Sequence, residues 1–193
     1  MAYLTVANLK LYLGISDTTE DTLLAQLIDR SQSYIDTHTH RNFEASTDTI
    51  RYFDAKADVH ERGTLLMLDE DLLSVTTLTN GDGTTVDPSS YVLLPPNENP
   101  KYAIKLTVAS GLYWTYEDDH INAISLEGRW GYSLTPPNDI VHAIVRLSSY
   151  LYRQKDNAGE FDRTVLAGNS TLLPTQIPRD IEQLLMPYTR YIL

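Results

Sequence analysis

The chain has 193 residues, a net charge of −11 at pH 7, no cysteine, and ordinary hydrophobic (42%) and charged (21%) fractions. This length fits one core, or a modest domain carrying a large insertion, and the composition excludes wholesale disorder. The acidity argues against phosphate-backbone binding, which needs Lys and Arg gathered on one face, and the absence of thiols excludes disulfides, thiol catalysis and thiolate metal sites.

Met1-Ala2-Tyr3-Leu4-Thr5 has neither the basic start nor the apolar run of a signal peptide, and no segment reaches the length of a membrane span. The expectation is a soluble protein retained where it is made, with no membrane partner. A first helix is predicted over Val6 to Leu13, opened by Thr5 and closed by Gly14, with Val6, Leu9 and Leu13 on one face. Asp17 followed by Glu20 reads as a capping box for a second helix from about Thr18 to His38, with Leu24, Leu27, Ile28, Tyr34 and Ile35 at helical spacing.

After Thr39 the periodicity changes. Strands are expected at Ile50–Asp54, Thr64–Leu68, Leu73–Thr79, Tyr91–Leu94, Tyr102–Leu106 and Ala123–Tyr132, with a hairpin turn at Asn80-Gly81-Asp82-Gly83 and resumed pairing at Thr84–Val86. Pro95 to Pro100 is too rich in proline to join a ladder. Short strands between turns suggest a small barrel or sandwich. Helix returns at Pro136-Pro137-Asn138-Asp139-Ile140, and Ile140, Ala143, Ile144, Leu147 and Leu151 form its apolar stripe. Lys155 to Thr175 reads as a mobile or partner-ordered segment, and a last short helix begins at Pro178.

The expected fold is therefore α+β: a helical bundle of N- and C-terminal segments with a large inserted antiparallel β barrel/sandwich-like segment. The boundaries are a helical hairpin at 1–43, a β-rich insertion at 44–132, a completing helix at 133–153, and a C-terminal segment at 154–193.

Little of this carries chemistry. His38 and His40 lack a third metal ligand and suit a helix terminus. Asp69-Glu70-Asp71 and Glu117-Asp118-Asp119 lack calcium-loop spacing and read as solvated turns, and Asp118-Asp119-His120 has no nucleophile beside it. Gly81-Asp82-Gly83 lacks the lysine of a phosphate loop, and Ser148-Ser149 has no nucleophile-elbow context. No catalytic, cofactor-binding or metal-binding residue is expected, and no enzyme. Tyr occurs 13 times against 3 Phe, a bias that suits partner-covered surfaces as well as strand packing. A second reading, a β-sandwich binding module for a glycan or other ligand, would use Trp114, Trp130 and neighbouring tyrosines. Packing of Trp130-Gly131-Tyr132 within the β layer competes with it.

Leu11-Tyr12-Leu13-Gly14-Ile15, the Asp17 to Asp21 turn, Leu24 to Ile35 with Tyr34-Ile35-Asp36, and Arg41-Asn42-Phe43 resemble the N-terminal signature of tailed-bacteriophage head-tail connector proteins. Trp130-Gly131-Tyr132, Pro136 to Ile140, Ala143, and Leu147 with Tyr150 to Arg153 continue the resemblance. The β segment departs from the nearly all-helical compact members and looks like the longer ones. The resemblance implies a non-catalytic virion neck protein, assembled in the bacterial host cytoplasm. It implies a self-associated ring of about twelve copies docked on the portal protein and extending the DNA channel toward a stopper or tail-completion protein. DNA would pass without sequence-specific binding. It also points to the C-terminal segment as the portal contact, which here means Leu184, Leu185, Met186, Tyr188, Tyr191, Ile192 and Leu193.

Overall fold

A computed structural model describes residues 3–155 and 177–190, together with the backbone of 166–167 and 170–171. The chain divides into two compact units, a helical unit of 1–40 with 136–193 and a β unit of 41–135.

In the helical unit, α1 spans Val6–Leu13. Thr5 Oγ1 accepts a hydrogen bond from the Asn8 N–H at 3.2 Å, and Gly14 ends the helix with φ 73°, a left-handed conformation that glycine adopts without Cβ strain. Helix α2 spans Asp21–Thr39, starting later than the sequence suggests because the capping box does not form. Asp17 Oδ1 instead accepts from the Thr19 N–H at 3.0 Å and closes a local turn. Glu20 occupies the N-cap position, but its carboxylate takes the Tyr152 hydroxyl and the Lys155 ammonium at the far end of α3.

Helix α3 spans Asn138–Gln154 and buries Ile140, Ala143, Ile144 and Leu147 against Leu24, Leu27, Ile28 and Ile35 of α2 and Leu9 of α1. Where α2 and α3 meet, Ser148 Oγ donates to Ser31 Oγ at 3.0 Å, and Ser31 Oγ donates to the Leu27 carbonyl at 2.8 Å. Ser148 is thus a satisfied core residue. Helix α4, Arg179–Leu185, follows Pro178 and inserts Ile181 and Leu185 into this core. The Arg146–Asp180 ion pair, a Tyr188 hydroxyl on Asp139 at 3.1 Å, and the Arg190 N–H on the Thr39 carbonyl at 2.8 Å tie it down.

The β unit is a six-stranded antiparallel sheet: β1 Thr49–Phe53, β2 Val59–His60, β3 Leu65–Thr79, β4 Tyr91–Leu94, β5 Lys101–Leu106 and β6 Ile124–Trp130. Its order is β1-β6-β3-β5-β4, with β2 pairing on β3. The ladder does not close, since β1 and β4 are its edges and do not pair, so the expected barrel is replaced by an open sheet. Two strands expected at 64–68 and 73–79 are one long strand, β3, which pairs β5 through its first half and β6 through its second. Its register shifts between Met67 and Leu72, where the expected acidic turn lies. The charges are accommodated inside the strand. Asp69 and Glu70 pair with Arg51 at 3.3 and 2.6 Å, and Asp71 pairs with Arg41 at 2.7 Å.

Side chains from both halves of β3 enter one core with Phe53, Ile104, Leu106, Trp114, Ile124, Leu126 and Trp130. The 80–83 turn forms as expected, with the Asn80 N–H on the Thr84 carbonyl at 2.8 Å, and Val86 N–H resumes pairing on Leu78. Within the segment expected at Lys155 to Thr175, the backbone of a two-stranded pairing, β7 Leu166–Ala167 with β8 Ser170–Thr171, is described, and apart from Lys155 the rest of that expectation lies outside the described residues.

Candidate assembly surfaces

The two motifs that carry the sequence resemblance in the β unit, Arg41-Asn42-Phe43 and Trp130-Gly131-Tyr132, meet where the chain enters and leaves that unit. The Tyr132 N–H donates to the Asn42 carbonyl at 2.7 Å, Ala45 N–H to Ser133 at 2.8 Å, and Ser46 N–H to Trp130 at 2.8 Å. Phe43 and Tyr132 rings lie 5.4 Å apart, and the Arg41 guanidinium sits 5.2 Å from the Tyr132 ring centre. Arg41 also holds Asp71, whose side chain is 5% exposed, and the Asp71 carbonyl accepts from the Gly131 N–H at 2.7 Å. Gly131 has φ 142°, and a Cβ there would lie 2.7 Å from Ala45 Cα. Only glycine lets the two segments approach this closely. Gly128 plays a similar part in the ladder, where a Cβ would meet the Ser74 carbonyl oxygen of β3 at 2.3 Å.

These contacts decide the Trp130 question in favour of packing. Trp130 is 2% and Trp114 5% exposed. Their indole N–H groups donate to Thr49 and Thr64 carbonyls at 3.0 and 3.3 Å, and Arg51 covers the Trp130 ring at 4.6 Å. A ligand-stacking platform needs an open ring face. Neither indole offers one, so the glycan-module reading loses both of its tryptophans and is not favoured.

The other candidates resolve locally. His38 stacks on Tyr34 at 5.6 Å in the last turn of α2, and His40 is its left-handed C-cap with φ 53°. Glu117, Asp118 and Asp119 are exposed, as a solvated turn requires. His120 reaches across the fold to Asp54, its Nδ1 lying 3.0 and 2.9 Å from the two carboxylate oxygens. Asp54 also accepts the Lys56 and Ala57 backbone N–H groups, and these bonds first, then His120, hold its carboxyl below the usual range. No group of metal-binding side chains is found among the described residues, and no described helix is long and apolar enough to cross a membrane.

Two residues carry structure that sequence reasoning missed. Lys101 is 8% exposed, and its ammonium donates to the carbonyls of Pro95 at 2.6 Å, Pro96 at 3.2 Å and Glu98 at 2.5 Å, so the proline-rich loop is organised around a buried cation. The Asn80 side chain binds the Tyr113 carbonyl at 2.9 Å and the Thr115 N–H at 3.0 Å, fixing the long loop before β6. Nothing in the local pattern marks either, because each partner lies in a loop whose path the tertiary fold decides.

The remaining feature is a set of exposed apolar side chains. Leu11 is 84% and Tyr12 50% exposed on α1, beside a groove of about 390 Å³ lined by Asn8, Leu11, Tyr12, Asn138, Val141, His142 and Val145. Val108, Leu112, Tyr113, Tyr116 and Ile121 are exposed on the loop that Asn80 anchors, and Ile50 and Tyr52 on edge strand β1. In the expected portal-contact segment, Met186 is 66% exposed, Leu184 and Tyr188 are half-buried, and Leu185 is fully buried in the helical core. Tyr191, Ile192 and Leu193 lie outside the described residues.

The described residues form an α+β fold with several solvent-facing apolar side chains. In residues 3–63 the chain carries the signature of the family described as phage gp6-like head-tail connector protein. No curated protein matches the chain. Among solved structures, a chain in the neck of an empty gene transfer agent (GTA) particle computed with C6 symmetry is similar at a TM-score of 0.59 and 14% identity, over 99% of this chain and 92% of that one. A chain of the native GTA virion is similar at 0.56 and 17%, over 99% and 92%. One from the native GTA neck computed with C12 symmetry is similar at 0.56 and 16%, over 97% and 90%. At these identities the likeness is one of fold, and it runs through helical and β units alike.

Proposed function

We propose that this protein is a structural head-tail connector of a phage-like particle, acting by assembly and not by catalysis. The observation that carries this is the coincidence of the connector signature at 3–63 with a fold shared, over nearly the whole chain, with neck chains of GTA particles. Copies form a ring, twelve to match the portal, in the neck of the virion after assembly in the host cytoplasm. The ring extends the DNA channel toward a stopper or tail-completion protein. In this reading 1–43 and 133–153 make the wedge of the ring, 44–132 is the insertion, and 154–193 reaches the portal through Met186, Tyr188 and the terminal Tyr191, Ile192 and Leu193. Leu184 and Leu185 position that segment, Leu185 from within the core. A charge of −11 per copy suits a channel that DNA must traverse without adhering.

Purified chain mixed with the portal of the same particle tests this by negative-stain imaging and light scattering. The expected result is a ring stacked on the portal. A chain that stays monomeric and binds neither portal nor tail components would overturn the proposal.

A further inference from the structure

The turn joining β2 to β3 is closed by the Gly63 N–H on the His60 carbonyl at 3.1 Å, and its central residues, Glu61 and Arg62, have φ 47° and 60°. Hairpin turns with two positive φ angles favour Asn-Gly, because longer side chains are strained in that conformation. The surrounding fold holds the strain in place. Lys105 Nζ donates to Glu61 Oε2 at 2.6 Å, Thr64 Oγ1 to the Glu61 carbonyl at 2.9 Å, and the Trp114 N–H to the Gly63 carbonyl at 2.8 Å. Arg62 is thereby presented to solvent with no partner among the described residues. Beside it Tyr113, 56% exposed, lies against Gly63, where a Cβ would meet the tyrosine Cδ1 at 3.6 Å. Strain of this kind collects at functional positions, and a preorganised arginine next to an exposed tyrosine is the chemistry that anchors protein contacts.

Charge complementarity identifies the surface that fits this anchor. Each copy carries −11, so a contact that sets a cation of one copy against carboxylates of the next is favoured over one that brings like charges together. Lys10, Arg41, Arg51, Lys105, Arg146 and Lys155 already hold carboxylates of their own chain, and Lys101 is buried on backbone carbonyls. Arg62 is not so engaged. On the same unit Glu117 and Asp118 are exposed, without a partner among the described residues, and are flanked by exposed Tyr116 and Ile121. Lys56, 5.2 Å from the Tyr116 ring centre, pairs with neither carboxylate. Between Tyr113 and Tyr116 the loop is pinned by buried Trp114 and by the Thr115 N–H on Asn80, and Arg62 reaches no carboxylate of its own copy.

We infer that Arg62 and Tyr113 of one copy dock on the Glu117-Asp118 stretch of the next, with Tyr116 and Ile121 closing around the ion pair. The inference rests on the proposed ring and names both faces of one of its contacts. The two faces differ, as a heterologous ring contact requires. Apolar side chains on both faces exclude water from the pair, which strengthens it and shields it from salt.

Charge exchange in the full chain tests it. Analytical ultracentrifugation and negative-stain imaging, with and without portal, read assembly, and tryptophan fluorescence in urea checks the fold of the β unit. Arg62→Glu and Asp118→Arg should each lose the ring, and the double variant should regain it. Arg62→Glu makes the net charge of −11 more negative by two and Asp118→Arg less negative by two, so a general charge effect would move the single variants in opposite directions. Arg62→Gly and Tyr113→Ala are milder, and each should need a roughly tenfold higher concentration to form rings. Because glycine relieves the left-handed strain, Arg62→Gly should unfold at the same urea concentration as the parent or a higher one, a split that a merely structural arginine would not show. Arg62→Glu rings of undiminished stability overturn the inference and leave the ring standing. So does a double variant that stays unassembled, or an Asp118→Arg chain that assembles better than the parent. Arg62→Glu rings that no longer bind portal assign the turn to the portal and overturn it as well. A parent chain that forms no ring, alone or on portal, removes the proposed function itself.

Discussion

Removing the Asp71 carboxylate should unlock the clasp that closes the β unit. Asp71 is 5% exposed and its Arg41 partner 17%, at 2.7 Å. Breaking a buried pair from one side typically costs about 3–5 kcal/mol, because the surviving charge stays desolvated. Arg41 keeps some access to water and the face of Tyr132, which lowers the expectation for Asp71→Ala to about 2–3 kcal/mol. For a unit of this size that is a fall in Tm of roughly 10–20 °C. The comparison pair is Arg51 with Asp69 and Glu70, whose carboxylates are 65% and 49% exposed. Alanine at either should cost less than about 1 kcal/mol and lose its effect in high salt.

The assay is urea unfolding followed by tryptophan fluorescence. Both tryptophans, Trp114 and Trp130, sit in the β unit, so the signal reports that unit alone. A cycle through Arg41→Met, Asp71→Leu and the double variant isolates the pair from the other contacts each residue makes. A cost below about 0.5 kcal/mol for Asp71→Ala, or no coupling in the cycle, would refute the reasoning.

Other outcomes follow from single observations. Burial raises the Asp36 carboxyl to about 6 despite bonds from Tyr3 and Gln32, and one of its oxygens is unpartnered. A raised folded-state value means its contribution is full below the unfolded value of 3.8 and is lost as pH rises through about 6. Asp36→Asn should then stabilise the helical unit at pH 7 by roughly 1–2 kcal/mol, discounted for partial exposure, and flatten its stability between pH 4 and 7. Helical ellipticity in urea at several pH values checks this, and an unchanged slope would count against it. Gly131→Ala should destabilise the β unit by about 2–4 kcal/mol by fluorescence, since Ala45 backbone occupies the space a Cβ needs. Leu185→Ala should cost about 2–5 kcal/mol by ellipticity and Met186→Ala less than about 0.5 kcal/mol, with portal binding weakened only in the latter at equal folded fraction.

Elements whose signals are local were legible in the sequence. Thr5, Gly14, Pro137 and Pro178 mark helix ends through backbone chemistry that each residue carries itself, and α1, α3 and α4 begin where they predict. The hairpin turn at 80–83 and strands β1, β4 and β5 were readable for the same reason, as period and turn residues act over a few positions. The apolar excess of α1 was also present in its eight letters.

What the tertiary structure alone decided are the choices between competing partners. Glu20 was free to cap α2 or to meet Tyr152 and Lys155, and the packing of α3 brought the latter within reach. Asp69-Glu70-Asp71 suits a turn in isolation, but with Arg41 and Arg51 pairing its carboxylates the chain continues through it, with a register shift, as β3. The same holds for which side of α1 is covered. Sequence determines that a helix is largely apolar, but only the placement of its neighbours determines that Leu9 is buried and Leu11 exposed, because burial is a property of what stands opposite.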